Sequence, residues 1–261
     1  MRDASSAAPL LQVAGASIRL GERRLIEALD LAVAPGNFIA VLGRNGSGKT
    51  LLLHTLAGLR PADAGTVRLG GDSIDALDRR VIARRLALLA QDAEAAQSAT
   101  VGETVMLARF AHLPLWGNPA AVDRDAVASA LRDVSMEHAV ARDTQTLSGG
   151  EQRRVAAALV LAQQAPIMLL DEPNNHLDPH HALAVLELFA ARVREGSAVI
   201  AALHDPSLAA RFASHALLLH GEGRWEFGGV DEMLGSRRLS ELYLTPMLEL
   251  DAAGRRVFVA G

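Results

Sequence analysis

The sequence predicts an α/β fold built around a parallel β-sheet buried on both faces. Three observations predict it. Four short, almost fully apolar runs occupy residues 38–42, 86–90, 167–170 and 198–203, and such runs suit strands covered on both sides. Helical patterns lie between them, as at residues 51–59 and 182–193, which is the alternation of a layered α/β core. Each run is followed by a residue with special chemistry: Gly43, Gln91, the pair Asp171 and Glu172, and His204. In open α/β sheets ligands bind beyond the carboxyl ends of the strands. Endings of this kind on one edge define a single site.

The remaining elements follow in chain order. Residues 10–34 alternate apolar and polar positions around a turn at Gly21, so they read as an antiparallel hairpin region. From about 92 to 146 the pattern changes to helix signals without a strong strand. Thr100 followed by Glu103 makes a capping box ahead of Val105, Leu107 and Ala108. Asp123 is placed to cap a helix that carries Val127, Leu131 and Val134 on one face. Pro114, Gly117, Asn118 and Pro119 mark a loop between the two. This stretch reads as a helical insertion into the core. The tail from about 235 reads as a short helix and then a hairpin that turns at residues 252–254.

Composition narrows the function classes. Hydrophobic residues make up 50% of the 261 but aromatics only 3%, so the core is aliphatic. The net charge of −4 gives no basic field of the kind that nucleic acid or an anionic membrane attracts. With no cysteine, disulfides, thiolate metal sites and cysteine nucleophiles are excluded. The first ten residues lack the basic and apolar regions of a signal peptide. No apolar run reaches the ~18 residues of a membrane span. These readings point to a soluble cytoplasmic protein.

The first strand end carries the most specific motif. Gly43, Arg44, Asn45, Gly46, Ser47, Gly48, Lys49 and Thr50 match G-x-x-x-x-G-K-[ST], between a buried strand and an apolar helix. Glycines let backbone N–H groups wrap phosphate oxygens, and the helix N-terminus adds a favourable dipole. Lys49 supplies a point charge to the β- and γ-phosphates, and the Thr50 hydroxyl can ligate Mg²⁺. The fold is then an α/β P-loop NTPase (RecA-like) core with an antiparallel β subdomain and an inserted helical subdomain. At the third strand end, Asp171 is placed to hold Mg²⁺, usually through water, and Glu172 to polarise an attacking water. The motif alone does not separate a kinase from a GTPase or a motor.

Leu147, Ser148, Gly149, Gly150, Glu151 and Gln152 open a helix. Ser148 and Glu151 form a capping box. That leaves two consecutive glycines, which weaken a helix, unexplained unless backbone N–H groups must approach an anion closely. This LSGGEQ segment resembles the signature of the ATP-binding-cassette (ABC) family, and the resemblance covers nearly the whole chain. Gln91 is similar to the Q-loop glutamine, residues 175–178 to the D-loop, and His204 to the switch histidine. The resemblance implies one ATPase domain over residues 1–261. Its parts are a catalytic core at about 10–91 and 159–234, a helical signature subdomain at about 92–158, and a C-terminal extension at 235–261.

It also implies a mechanism. Two subunits pack head to tail as a homodimer, each ATP lying between the phosphate loop of one and Ser148, Gly149, Gly150 and Gln152 of the other. Glu172 drives hydrolysis, His204 contacts the γ-phosphate, and Asp178 couples the two sites. Thr50, Gln91 and Asp171 serve Mg²⁺, and Gln91 links the metal site to the helical part. There a polytopic transmembrane permease docks, fed by a periplasmic or extracellular substrate-binding protein. The place implied is the cytoplasmic face of the inner membrane, peripherally bound.

Two positions depart from the family pattern. Leu20 stands where an aromatic residue usually stacks on adenine, which implies weak discrimination between ATP and GTP. Asn174 stands where threonine or serine is common. The sequence at 175–189, the segment following His204, the ending SELYLTP and the stretch 101–109 resemble importer ATPases for ferric siderophores, haem and cobalamin. The competing class is a soluble ABC ATPase that moves no solute, such as an iron–sulfur cluster assembly factor. A small-molecule kinase leaves LSGGEQ and His204 unexplained. His176, His180 and His181 do not read as a metal cluster, because the D-loop match accounts for His176 and Pro179 interrupts a single helix face. Arg79, Arg80, Arg84 and Arg85 read as a solvated helix face.

Overall fold

The computed structural model describes residues 8–91, 99–114, 117–175 and 177–261. His176 and the first seven residues lie outside them. The chain opens with the expected hairpin. β1 (Leu11–Leu20) and β2 (Arg23–Val33) pair antiparallel with Leu20 opposite Arg23, and Gly21 takes positive φ at the turn. After β3 (Phe38–Gly43) and α1 (Lys49–Leu56), β4 (Ala64–Leu69) and β5 (Asp72–Ser73) complete a sheet of order β2-β1-β4-β5. Gly65 marks the closest approach in that sheet. It has φ +79, and a Cβ there would sit 2.3 Å from the backbone of Gly15.

The central sheet has six strands. α2 (Arg79–Arg85) leads into β6 (Leu86–Leu89), and β7 (Ile167–Asp171), α6 (Pro179–Arg194) and β8 (Ala198–Ala202) follow the helical insertion. The four apolar runs are β3, β6, β7 and β8, and their neighbours pair in parallel register. After α7 (Pro206–Phe212), two strands that the sequence analysis did not single out extend the sheet. β9 (His215–Gly221) is parallel to β3, and β10 (Arg224–Gly229) is antiparallel to β9. The order is β10-β9-β3-β8-β7-β6.

Strand alternation sorts the sheet's side chains into two cores. Phe38, Ala40, Leu42, Met168, Leu170, Val199 and Ala201 face the helices, whereas Ile39, Val41, Ile167, Leu169, Ile200 and Ala202 face α1 and the first sheet. Period-two geometry makes this split automatic once both faces are covered.

The helical insertion contains α3 (Val101–Met106), α4 (Ala121–Asp133) and α5 (Gly149–Gln163), with a single bridge joining Thr100 to Asp143. The capping box at Thr100 and Glu103 forms as read. Asp123 does not: α4 starts two residues earlier, at Ala121, and Asp123 sits in its first turn. There it accepts from the backbone N–H of Ala120 at 3.0 Å and pairs with buried Arg109 at 3.0 Å. Burial next to a guanidinium explains the difference, since a cap on the surface would leave the buried Arg109 charge without its ion-pair partner.

The arginine run is also not a free surface. Arg80 and Arg84 both donate to the carbonyl of Ala111, at 3.1 and 2.6 Å, Arg79 bonds the carbonyl of Gly58, and Arg85 pairs with Asp72 at 2.9 Å. The run stays at the surface, with Arg79 and Arg84 exposed and Arg80 and Arg85 half-buried, and long cationic stems can lie along the surface while their heads find carbonyls.

The tail adds α8 (Val230–Met233), α9 (Ser236–Tyr243) and the hairpin of β11 (Met247–Asp251) and β12 (Arg256–Ala260). Leu239, Leu242 and Phe258 bury it against the helix-side core. That core is sensitive to Phe189 of α6, which is fully buried. Phe189→Ala is expected to destabilise the fold by about 3–5 kcal/mol, as lost transfer energy plus a cavity. A urea midpoint within error of the unsubstituted chain would refute this.

Candidate functional site

The phosphate loop is built by steric necessity. A Cβ on Gly43 would lie 2.5 Å from Ser47 Oγ and 2.6 Å from the Leu219 carbonyl. Gly48 is the N-cap of α1 at φ 105, and no side chain caps the helix. The first-turn N–H groups of α1 therefore lack a side-chain acceptor, and with the helix dipole they suit an anion. Lys49 is 6% exposed and donates to the carbonyls of Gly43 at 2.8 Å and Arg44 at 3.4 Å. Burial pushes its ammonium below the ordinary lysine value, and the Glu172 and Asp171 carboxylates partly offset this.

Beside Lys49 lies the acidic end of β7. Asp171 is 0% exposed, and neither of its oxygens has a hydrogen-bond partner. Burial pushes its carboxyl pKa up. The nearby Thr50 hydroxyl lowers it somewhat, although no donor meets hydrogen-bond geometry with either oxygen. Ser47 Oγ is buried and equally unpartnered. Unpaired buried oxygens are costly, and an oxygen set of carboxylate and hydroxyl groups is what Mg²⁺ takes. The residues present therefore fit that ion, with Asp171 and Thr50 as its nearest holders.

Glu172 turns the chain away from the strand in a left-handed conformation, φ 50, which strains a non-glycine residue by about 1–3 kcal/mol. Its backbone is held on both sides. Its N–H donates to Ala202 at 3.2 Å, and its carbonyl accepts from Asn175 N–H at 3.1 Å. Its carboxylate is shared: His204 Nε2 is 2.5 Å from Oε1, and the Asn175 side-chain amide donates to Oε2.

A cleft of about 470 Å³ gathers these groups. Asn45, Gly46, Gly48, Lys49 and Thr50 line it from the loop, Gln91, Glu172, Asn175 and His204 from the other strand ends, and Leu20 and Leu25 from the first sheet. Gly43, Arg44, Ser47 and Asp171 do not line it. Leu20 is 60% exposed at the mouth.

Other residues selected from the sequence lie elsewhere. Ser148, Gly149, Gly150, Gln152 and Asp178 do not line the cleft. Ser148 caps α5, and its Oγ accepts from Glu151 N–H at 3.3 Å while Glu151 reaches back to Ser148 N–H at 2.9 Å. These bonds and the Arg142 guanidinium hold the Glu151 carboxyl at about 2. Gly149 has open space where a side chain would be. Asp178 caps α6 and binds His181 Nδ1 at 2.8 Å.

Sequence reasoning missed Arg153. This side chain is 6% exposed and donates to carbonyls on both neighbouring strand ends. They are Ala90 at 2.9 Å and Gln91 at 3.3 Å after β6, and Asp171, Glu172 and Pro173 after β7. Its partners are main-chain groups far away in sequence, so no motif announces them.

Residues 26–175 match the family pattern described as ABC transporter. The chain belongs to the ABC transporter family. Membership makes it an ATPase of the cassette type. It is 38% identical, over 85% of its length and 82% of the relative's, to the ferric enterobactin transport ATP-binding protein FepC of Escherichia coli (strain K12). It is 39% identical, over 91% of its length and 84% of the relative's, to the hemin import ATP-binding protein HmuV of Streptomyces coelicolor. The cobalamin import ATP-binding protein BtuD of Halobacterium salinarum is 37% identical over 82% of this chain, which spans only 53% of that relative.

Among solved structures, an inward-facing putative metal-chelate type ABC transporter superposes with a TM-score of 0.84 at 23% identity, over 97% of this chain and 98% of that one. That likeness is one of fold. A dimeric, post-hydrolysis ATP-binding cassette bound to ADP and Pi has a TM-score of 0.73 at 25% identity, over 83% and 97%.

In this ABC ATPase the unpaired Asp171 carboxylate carries a testable sign. Its folded pKa is raised, so both states are protonated below the unfolded value and burial then costs nothing. As pH rises through the folded pKa the buried charge develops and stability is lost. At neutral pH Asp171→Asn is thus expected to raise the Tm of the nucleotide-free protein while abolishing Mg²⁺-dependent hydrolysis. Calorimetry with and without Mg²⁺ checks it, and a lowered Tm would show that Asp171 is net stabilising.

Proposed function

We propose that the chain is the ATP-hydrolysing subunit of an importer for an iron chelate, haem or cobalamin, working through a separate membrane-spanning subunit. The observation that carries the reading is convergence. An uncapped phosphate loop, a strand-end carboxylate and a histidine in contact with it line one cleft, in a chain whose relatives are named for importing these cargoes. Those names favour it over a non-transport ATPase such as an iron–sulfur assembly factor.

The loop N–H groups from Gly43 to Thr50 bind the phosphates, and Lys49 exchanges its carbonyl partners for phosphate oxygens. Leu20 and Leu25 offer the base an apolar wall without a stacking ring. Asp171 and Thr50 would hold Mg²⁺, joined by Gln91, which lines the same cleft. When bound, Mg²⁺ supplies positive charge to the β- and γ-phosphate oxygens. Glu172, held by the strained turn, accepts the proton of the attacking water. His204 sits on its carboxylate and is positioned to contact the γ-phosphate once the nucleotide is in place.

Ser148, Gly149, Gly150, Gln152 and Asp178 lie outside the cleft of their own chain. In the proposed head-to-tail homodimer the N-terminus of α5 at Ser148, Gly149 and Gly150 covers the partner's nucleotide, and Asp178 joins the two sites. Segment 92–158 is the docking part for a polytopic permease, which a substrate-binding protein supplies, and 235–261 is a C-terminal extension. No helix among the described residues is long and apolar enough to cross a membrane, and the reading places the chain peripherally on the cytoplasmic face.

Glu172→Gln is expected to keep ATP binding, lose hydrolysis by about 100-fold or more and accumulate as an ATP-bound dimer. Full hydrolysis by this variant would remove Glu172 as the base. Lys49→Ala should weaken nucleotide binding itself. Tagged Glu172→Gln protein, captured from solubilised native membranes with ATP and Mg²⁺, should bring down a many-span membrane protein. Only soluble partners would favour the non-transport class. GTP is expected to compete with ATP at comparable concentration, because no ring stacks on the base. Strong ATP selectivity would sink that part of the reading.

A further inference from the structure

We propose that Tyr243, at the end of α9 in the C-terminal tail, is a positioning residue for His204 during ATP hydrolysis. The inference rests on the role given to His204 above. Tyr243 is the only tyrosine in the chain. Its Oη donates to the backbone carbonyl of His204 at 3.3 Å. Among the described residues that is the sole hydrogen bond to this carbonyl.

His204 occupies a joint in the chain. The last sheet bond before it is Leu203 N–H to the Val41 carbonyl at 3.1 Å. Immediately after it, Asp205 caps α7 by accepting from Ser207 N–H at 2.7 Å. Between those anchors the residue has no regular backbone partner of its own. Its side chain is 43% exposed, so packing does not fix it. Tyr243 supplies the third point that sets where the imidazole starts from. The consequence reaches Glu172, because His204 Nε2 lies 2.5 Å from its Oε1, and reacting groups lose rate steeply with displacements of an ångström.

The platform behind the hydroxyl is firm. Leu239 and Leu242 of α9 are 0% and 1% exposed. Arg238 pairs with Glu226 of β10 at 3.0 Å, and Ser240 Oγ accepts from Met247 N–H at 2.8 Å. Burial, with the Asp205 carboxylate adding to it, pushes the Tyr243 phenol up to about 12. The group therefore remains a donor through the whole working range of pH. The tail thus acts on the cleft through one hydroxyl, although no tail residue lines the cleft.

A double-mutant comparison on the full chain tests this. Steady-state kcat and KM for ATP are measured for Tyr243→Phe, His204→Ala and the pair, with thermal unfolding of each. Tyr243→Phe is expected to lower kcat by about 3- to 10-fold with KM nearly unchanged, and to add no further loss once His204 is alanine. A general loosening of the fold would instead lower kcat by the same factor in both backgrounds, and that result overturns the inference. So does an unaltered kcat in Tyr243→Phe. If His204→Ala alone retains full kcat, the role of His204 itself fails, an outcome distinct from additivity, and the inference falls with it.

Discussion

The constraint on which the rest of the site depends is a full carboxylate, Asp171, buried at 0% exposure with neither oxygen hydrogen-bonded. Burying an ion without partners is unfavourable by several kcal/mol, so the fold must supply the means to keep it there. The parallel sheet does this by geometry. β7 is buried along its whole length between β6 and β8, and both its faces are filled from separate cores. Lys49 answers the charge from the neighbouring loop: burial pushes its own pKa down, and the Glu172 and Asp171 carboxylates partly restore it. The site thus sets a desolvated cation and a desolvated carboxylate near one another, and perturbed groups of this kind cluster at functional sites.

Arg153 shows how the two halves of the molecule share this strain. It belongs to the signature helix, yet its guanidinium collects carbonyls after β6 and after β7. The left-handed turn at Glu172 is one of the places it holds. Helix α5 is bound at its other end as well: Gln163 donates to the carbonyls of Ala83 and Leu86, and Arg109 to that of Ala162. The helix that opens at Ser148 is therefore tied to the backbone that carries Glu172.

What the sequence made legible was local. The phosphate loop, the capping boxes at Thr100 and Ser148 and the four apolar strands each declare themselves within a few residues, and each stands where it was read. What stayed hidden was non-local. Asp123 was read as a cap because the cap pattern is visible in sequence, whereas its partner Arg109 is set by packing. The arginines of α2 are at the surface as read, but their partners, the Ala111 and Gly58 carbonyls, are contributed by other segments and were not visible. β9 and β10 were passed over, although β9 is nearly as apolar as its neighbours, because no special residue ends it. Residues such as Leu20 and Gln91 were legible as positions, and the cleft brings both to one mouth.

The phosphate loop has one more consequence, which concerns entropy rather than charge. Its lysine already binds its own carbonyls at Gly43 and Arg44, and Ser47 N–H closes the loop onto Arg44 at 3.1 Å. The loop is wound into its working shape around an internal cation. A phosphate entering it exchanges neutral acceptors for anionic ones and does not have to order a slack chain. Ordering a flexible loop commonly takes about 1–2 kcal/mol per residue, and pre-organisation converts that saving directly into affinity. The loop carries its shape in its own hydrogen bonds.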